Sequence, residues 1–261
     1  MGTSCRVINY SVNKIQGLSS FFSYYRYDFV GSTNEIIKDL AFKSFPEGTL
    51  VHAISQDNGK GRSGKLWESQ KGNLFCSILL RPSVLKQEVS QLSFVSSLAV
   101  KQALSNITQD KKNFLIKWPN DILFHEKKIS GILLETSPSL NSNLVDWVVI
   151  GIGINIKNFP KNLNHVTSLY EYGYFCEIVD VIKEVGNALE QFYNVWLIEG
   201  FEKIKKIWLR NCYPIGKRIS VTVNNKKLYG KFEGITKDGS LIMKLLDNST
   251  KVISGGEVEI I

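Results

Sequence analysis

Apolar and polar residues change their spacing several times along this chain, and each change marks an element. Residues 21–30 are rich in aromatic side chains and read as extended. Residues 49–55 alternate apolar and small side chains, and 73–80 form an apolar run; both predict strands. Leu92, Val95, Ala99, Ala103 and Ile107 recur at three-four spacing and predict a helix over 88–107. Ile178, Ile182, Val185, Leu189, Phe192 and Trp196 do the same over 178–196, where a plain core helix accounts for the pattern. Gly200 interrupts it, and a second helix runs to about Leu209. A shorter helix over 35–40 follows Ser32-Thr33-Asn34, which offers ready N-caps.

The centre between the long helices is β-rich. A strand over 114–118 is stopped by Pro119. Residues 122–124 and 129–134 form a hairpin around His125-Glu126-Lys127-Lys128. A further apolar strand covers 147–156 and carries Gly151 and Gly153 inside it, a pattern that marks close approach of a ligand or another backbone. From 217 to 261 the pattern becomes short alternating strands with turns at Asn224-Asn225, Asp238-Gly239 and Asp247-Asn248, hence a small barrel. The expected fold is α+β: a mixed, mainly antiparallel sheet flanked by helices over 1–214, then a small C-terminal β-barrel over 215–261, with the boundary near Pro214-Ile215-Gly216.

Composition narrows the class without deciding it. The chain has 261 residues, 43% of them hydrophobic, enough for a large domain plus a small one. No apolar run approaches a bilayer-spanning helix, so no membrane span is expected. Cys5, Cys76, Cys176 and Cys212 are scattered, which suits free thiols in a reducing cytoplasm better than a disulfide framework or zinc site. His52, His125 and His165 are far apart, which argues against a histidine-based metal site. A net charge of +8 permits a nucleic-acid or acidic protein partner but demands neither.

Chemistry concentrates in Gln56-Asp57-Asn58-Gly59-Lys60-Gly61-Arg62-Ser63-Gly64-Lys65-Leu66-Trp67. Three glycines and three cations fall between Gly59 and Lys65. Glycine lets backbone N–H groups approach an anion, and Lys and Arg add charge-assisted hydrogen bonds to phosphate oxygens. Gly59, Gly64 and Lys65 fit the P-loop spacing, but Leu66 stands where a magnesium-binding hydroxyl is required, and a strand follows instead of a helix. The P-loop reading is rejected. A loop closing over a phosphate-bearing ligand and a solvated basic hairpin tip both remain open on the loop alone.

Four signatures occur in order: Ser32-Thr33-Asn34; the glycine loop from Gln56 to Trp67; Lys117-Trp118-Pro119-Asn120-Asp121; and Gly151-Ile152-Gly153-Ile154-Asn155. Lys128-Ile129-Ser130-Gly131-Ile132-Leu133-Leu134-Glu135 lies between the last two. From about Val30 to the end, this set resembles the biotin–protein ligases, also called biotin–[acetyl-CoA-carboxylase] ligases, whose small C-terminal domain is SH3-like. The resemblance implies a two-step activity. Biotin and MgATP give biotinyl-5′-AMP and pyrophosphate, and a lysine of a biotin carboxyl carrier domain then takes the biotin. It implies catalytic roles for Lys117 and Arg62. It implies biotin contacts from Ser32, Thr33, Asn34, Gln56, Lys60, Gly61, Arg62, Lys117, Gly131, Ile132 and Leu133. It implies nucleotide or adenylate contacts from Lys60, Arg62, Trp67, Lys117, Asn120 and Asn155. Asn120 and Asp121 shape a turn or help with Mg²⁺, and no set of metal ligands is named. The bland readings stand beside these: helix capping for Ser32 or Thr33, a surface lysine for Lys117, a loop anchor for Trp67.

Lys60 replaces an arginine usual in such loops, keeping the charge but losing the bidentate fork. Gly31 stands where Asp is usual before Ser-Thr-Asn. About thirty residues precede Ser32, too few for the winged helix-turn-helix of some family members, so no operator DNA is expected. A monomer and a homodimer are both compatible. The glycine-rich loop is expected to be mobile without ligand and to order on binding. Two other readings compete: a lipoate–protein ligase of the same superfamily, and a non-enzymatic basic nucleic-acid-binding adaptor.

Overall fold

The computed structural model describes the backbone of residues 10–12 and all of residues 14–137 and 143–261. In chain order the elements are β1 (Tyr10–Val12), β2 (Ser23–Val30), α1 (Thr33–Phe42), β3 (Thr49–Gln56), β4 (Leu74–Leu80), α2 (Gln91–Thr108), β5 (Phe114–Lys117), β6 (Asp121–Phe124), β7 (Lys127–Thr136) and β8 (Val148–Ile154). Then come α3 (Ile178–Glu199), α4 (Phe201–Leu209), β9 (Arg218–Val223), β10 (Lys226–Ile235), β11 (Leu241–Leu245), β12 (Thr250–Ile253) and β13 (Glu257–Ile260). Cys5 lies outside the described residues.

Eight strands form one sheet in the order β1-β2-β3-β4-β8-β7-β6-β5. Only β2 and β3 pair in parallel, joined through α1; the other pairs are antiparallel. The two faces of the sheet follow from the period-2 alternation of side chains. On one face, Leu74, Cys76, Ile78 and Leu80 of β4 and Val148, Ile150, Ile152 and Ile154 of β8 join the large core built with α2, α3 and α4. On the other, Val51, Ala53, Leu79 and Val149 pack against Ile37 and Ala41 of α1. A sheet covered on both faces explains why β4 reads as an unbroken apolar run and is buried throughout.

Residue patterns and elements agree closely, with instructive differences. Helix α2 starts three residues later than its apolar spacing suggests, because Lys86–Glu88 form a separate 3-10 turn. The β6–β7 connection is a two-residue turn with His125 and Glu126 at φ 47° and 63°, not a four-residue turn. His-Glu lacks the Asn-Gly chemistry that announces such turns. Strand β1 carries no pattern strong enough to predict it.

Strands β9–β13 form a second, antiparallel sheet in the order β12-β11-β10-β9-β13. Ile219, Val221, Phe232, Leu241, Met243 and Val258 belong to the same continuous core as Phe94, Trp118 and Trp208. Trp118 is buried, and its indole Nε1 donates to the Gly239 carbonyl at 2.9 Å, tying the β10–β11 turn to the main sheet. Gly239 is required there: a Cβ would stand 2.5 Å from the Phe94 ring, and its φ is +83°. The second sheet is thereby held against the end of the first, where the cleft opens.

Candidate active site

The cleft lies on the α1 face of the main sheet, and its volume is about 1520 Å³. Its floor is made of backbone. Register places Gly131 of β7 opposite Gly153 of β8, and Gly153 opposite Phe75 of β4. The next row aligns Leu133, Gly151 and Ser77. Where β8 runs under α1 it presents Val149; two and four residues on it presents Gly151 and Gly153. A Cβ on Gly153 would meet the Trp67 ring at 2.5–2.7 Å, and one on Gly131 would meet it at 2.9 Å. The indole therefore rests directly on the glycine pair. Its Nε1 is buried without a hydrogen-bond partner.

The polar end of the cleft is formed by the start of α1. Ser32 occupies the N-cap position, but its side chain makes no capping bond. Instead Gln56 Oε1 accepts the Thr33 N–H at 2.7 Å, and Gln56 Nε2 donates to Ser69 Oγ at 3.0 Å. Ser77 Oγ lies 2.7 Å from Thr33 Oγ1 and 2.5 Å from Asn34 Oδ1. Asn34 Nδ2 donates to Glu135 Oε2 at 2.7 Å. A Cβ on Gly151 would collide with Asn34 Oδ1 at 2.2 Å, so this glycine exists to admit Asn34.

Cations gather at the other end. Asp121 takes Lys128 Nζ at 2.6 Å and Lys117 Nζ at 3.3 Å, so this trio carries one positive charge in excess. All three side chains are half-buried or deeper. Lys128 also stands 5.5 Å above the Trp67 ring, at cation–π distance. Arg62 donates from Nη1 to Asn120 Oδ1 at 2.9 Å. Asn120 in turn grips the backbone of Ile132: its side-chain Nδ2 donates to the Ile132 carbonyl, and its main-chain carbonyl accepts the Ile132 N–H at 3.1 Å. Asn120 thus fixes Arg62 relative to the floor. Burial pulls the Arg62 pKa down, while Asp121 and Glu257 push it up.

The glycine loop is closed on itself as an irregular hairpin. Gly61 N–H donates to the Lys65 carbonyl at 2.7 Å and Trp67 N–H to the Gly59 carbonyl at 2.9 Å. Two ion pairs tie it outward: Lys60 to Glu35 of α1, and Lys65 to Glu257 of β13. The second sheet forms the far wall through Val223, Asn224, Gly256 and Glu257. No helix follows the loop; residues 68–73 lead irregularly into β4.

Every residue to which the resemblance gave a biotin, nucleotide or catalytic role lines this one cleft, from Ser32, Thr33, Asn34 and Gln56 through Lys60, Gly61, Arg62, Trp67, Lys117 and Asn120 to Gly131, Ile132, Leu133 and Asn155. Asn155 is buried, and its Nδ2 donates one hydrogen bond to the Thr167 carbonyl at 3.0 Å. Sequence reasoning assigned no role to Lys128, Ser77, Glu135 or the wall from the second sheet. Lys128 had a visible signal, a lysine three residues before Gly131 in the same string. The wall had none, because its residues are separated from the rest by about seventy positions. Among the described residues no group of three or more His, Cys, Asp or Glu side chains is placed to hold a metal ion. Asp121 is already shared between two ammonium groups. The donor set therefore does not make a resident metal centre.

Comparison with known proteins adds to this geometry. A Biotin/lipoate A/B protein ligase family model matches residues 27–155, and a Biotin protein ligase C terminal domain model matches 215–260. The bifunctional ligase/repressor BirA of Bacillus spizizenii is 35% identical over 234 residues, covering 87% of this chain and 71% of that protein. The chain belongs to the biotin–protein ligase family. Biotin–[acetyl-CoA-carboxylase] ligase of Paracoccus denitrificans is 33% identical, over 74% of this chain and 83% of the relative. The structure of biotin protein ligase from Aquifex aeolicus in complex with biotin and ATP superposes with a TM-score of 0.78 at 29% identity, covering 91% of this chain and 99% of that one. This biotin–protein ligase is an enzyme, and the α+β architecture with a C-terminal antiparallel sheet is that of its family. No described helix is long and apolar enough to cross a membrane.

Proposed function

We propose that the chain activates biotin with ATP as biotinyl-5′-AMP and passes it to a lysine of a biotin carboxyl carrier domain. The observation that carries this reading is the Lys117–Asp121–Lys128 trio, with its excess positive charge, set beside Arg62 at the edge of a glycine floor. In the first step a biotin carboxylate oxygen attacks the α-phosphorus, and the bond to the β-phosphate oxygen breaks, releasing pyrophosphate. Two anions must meet, so fixed cations supply most of what the step needs. Lys117 and Lys128 would share that task, with Asp121 holding both ammonium groups in place. Arg62, steadied by Asn120, would neutralise the phosphate. Mg²⁺ would arrive with the nucleotide, bound by its phosphates and water.

The α1 end supplies the complementary chemistry. Ser32, Thr33, Asn34 and Gln56 offer both donors and acceptors, which suits a neutral ureido ring. Gly131, Ile132 and Leu133 line the apolar body of the ligand, Lys60 and Gly61 cover it, and Trp67 and Asn155 face the adenine. In the second step a neutral lysine amine attacks the acyl carbon; the bond to AMP breaks, an amide forms and the amine loses a proton. A good leaving group lowers the demand for a strong base. The free thiols Cys76, Cys176 and Cys212 suit a cytoplasmic setting.

The test is mass spectrometry of a biotin carboxyl carrier domain after incubation with this protein, MgATP and either biotin or lipoate. A biotin adduct on one lysine, with AMP and pyrophosphate formed, is the expected result. Modification by lipoate alone would replace this reading with lipoate ligation. Nucleic-acid binding without ATP turnover would point to the adaptor reading.

A further inference from the structure

We propose that Glu135 is a positioning residue for ligand capture, orienting the Asn34 amide directly and the glycine loop through Lys38, Glu35 and Lys60. The inference rests on the biotin ligase reading above and concerns Glu135, Lys38 and Glu35, to which that reading gives no role. Glu135 lies on β7, two residues beyond Leu133, at the edge of the cleft floor. Its two oxygens point to different tasks. Oε2 accepts from Asn34 Nδ2 at 2.7 Å, and Oε1 takes Lys38 Nζ at 2.9 Å. Lys38 also pairs with Glu35 at 2.6 Å, and Glu35 pairs with Lys60 of the loop. The result is an alternating chain of four charges, acid–base–acid–base, that runs from the floor strand to the loop.

The two ends of this chain meet the ligand site from different sides. A carboxylate only accepts hydrogen bonds, so Glu135 forces the nitrogen of the Asn34 amide toward itself. The Ser77 hydroxyl, within 2.5 Å of Oδ1, holds the oxygen end. One N–H and one lone pair of the amide are then left for a ligand. At the other end, Lys60 stands where related loops carry arginine. A single ammonium pairs with Glu35 as a point charge, and Glu35 is shared between Lys60 and Lys38. The electrostatics agree. Burial alone would raise the Glu35 carboxyl, but hydrogen bonds from Lys38 and Lys60 hold it below its usual range. Burial alone would lower Lys38, but Glu35 and Glu135 raise it.

Direct biotin binding and steady-state kinetics on the full chain test this. Glu135→Gln keeps an acceptor for Asn34 but removes the charge that holds Lys38. We expect biotin Kd and KM to rise about three- to tenfold, the scale of one lost charge-assisted bond in a half-exposed setting. The value of kcat should stay within about twofold, because no reacting atom is touched. Lys38→Met should shift Kd in the same direction without contact to Asn34. In the Lys60→Met background the effect of Lys38→Met should largely vanish, since the two act in series. Wild-type affinity in both Glu135→Gln and Lys38→Met, or full additivity with Lys60→Met, would overturn the inference while leaving the ligase reading intact. Failure of the wild-type protein to bind biotin at all would overturn that reading and this inference with it.

Discussion

Adding one methyl group to the cleft floor, Gly153→Ala, tests whether Trp67 is seated on it. The new Cβ would lie 2.5 Å from Trp67 Cε2, whereas ordinary contact begins at 3.4 Å. The ring must therefore rise by about 0.9 Å, since β8 is fixed by pairing on both sides. Overpacking of this kind costs about 1–3 kcal/mol. The ring belongs to a loop whose residues 63–66 are exposed and can yield, which places the cost near about 1 kcal/mol. That is a fall in Tm of about 2–4 °C for a chain near this size. Lifting the ring also spoils the adenine face, so KM for ATP should rise about fivefold, the equivalent of about 1 kcal/mol. In the Trp67→Ala background the methyl group has nothing to strike. There the substitution should be neutral or stabilise by about 0.4–1 kcal/mol, through the smaller entropy of the unfolded chain. Thermal melts and ATP kinetics on the four proteins of the cycle measure the coupling directly. An equal cost of Gly153→Ala with and without Trp67 would refute the contact and its consequence for the nucleotide.

Three further expectations follow from the same geometry. Lys128→Met and Lys117→Met should each cut biotin-dependent pyrophosphate exchange by about 10²–10³-fold with unchanged melting, the scale of one lost charge-stabilising group; a loss in only one would assign the role to that lysine alone. His52, buried beside Tyr24 with Oη 2.9 Å from Nδ1, is pushed by burial down to about 4 from an ordinary 6.5. Above pH 6.5 both folded and unfolded chains carry it neutral; below, only the unfolded chain takes the proton, so stability falls by about 3 kcal/mol as pH drops toward 4. Urea melts across that range should lose this component of their slope in His52→Gln, and parallel profiles would refute it. Trp118→Phe leaves the buried Gly239 carbonyl without its donor and should cost about 1–3 kcal/mol in chemical denaturation; no loss would mean that the seam between the sheets does not depend on that bond.

Local patterns determined a great deal. The three-four spacing of α2 and α3, the turn residues of the second sheet and the order of four motifs depend only on neighbours along the chain, and the α+β class follows from them. The motif residues even converge on one cleft. What the sequence left silent is why particular residues are small or charged. Gly151 and Gly153 are visible as oddities in a strand, but the Asn34 amide and the Trp67 ring that require them lie about 120 and 90 positions away. Lys128 becomes a partner of Lys117 only because β5, β6 and β7 fold back in register around Asp121. Ser77 and Glu135 read as ordinary strand residues until Asn34 is laid across them. The wall from β9 and β13 exists only because the Gly239 turn docks on Phe94 and Trp118. Periodicity records which face of an element is buried; it carries no record of what lies on the other side, which long-range packing alone decides.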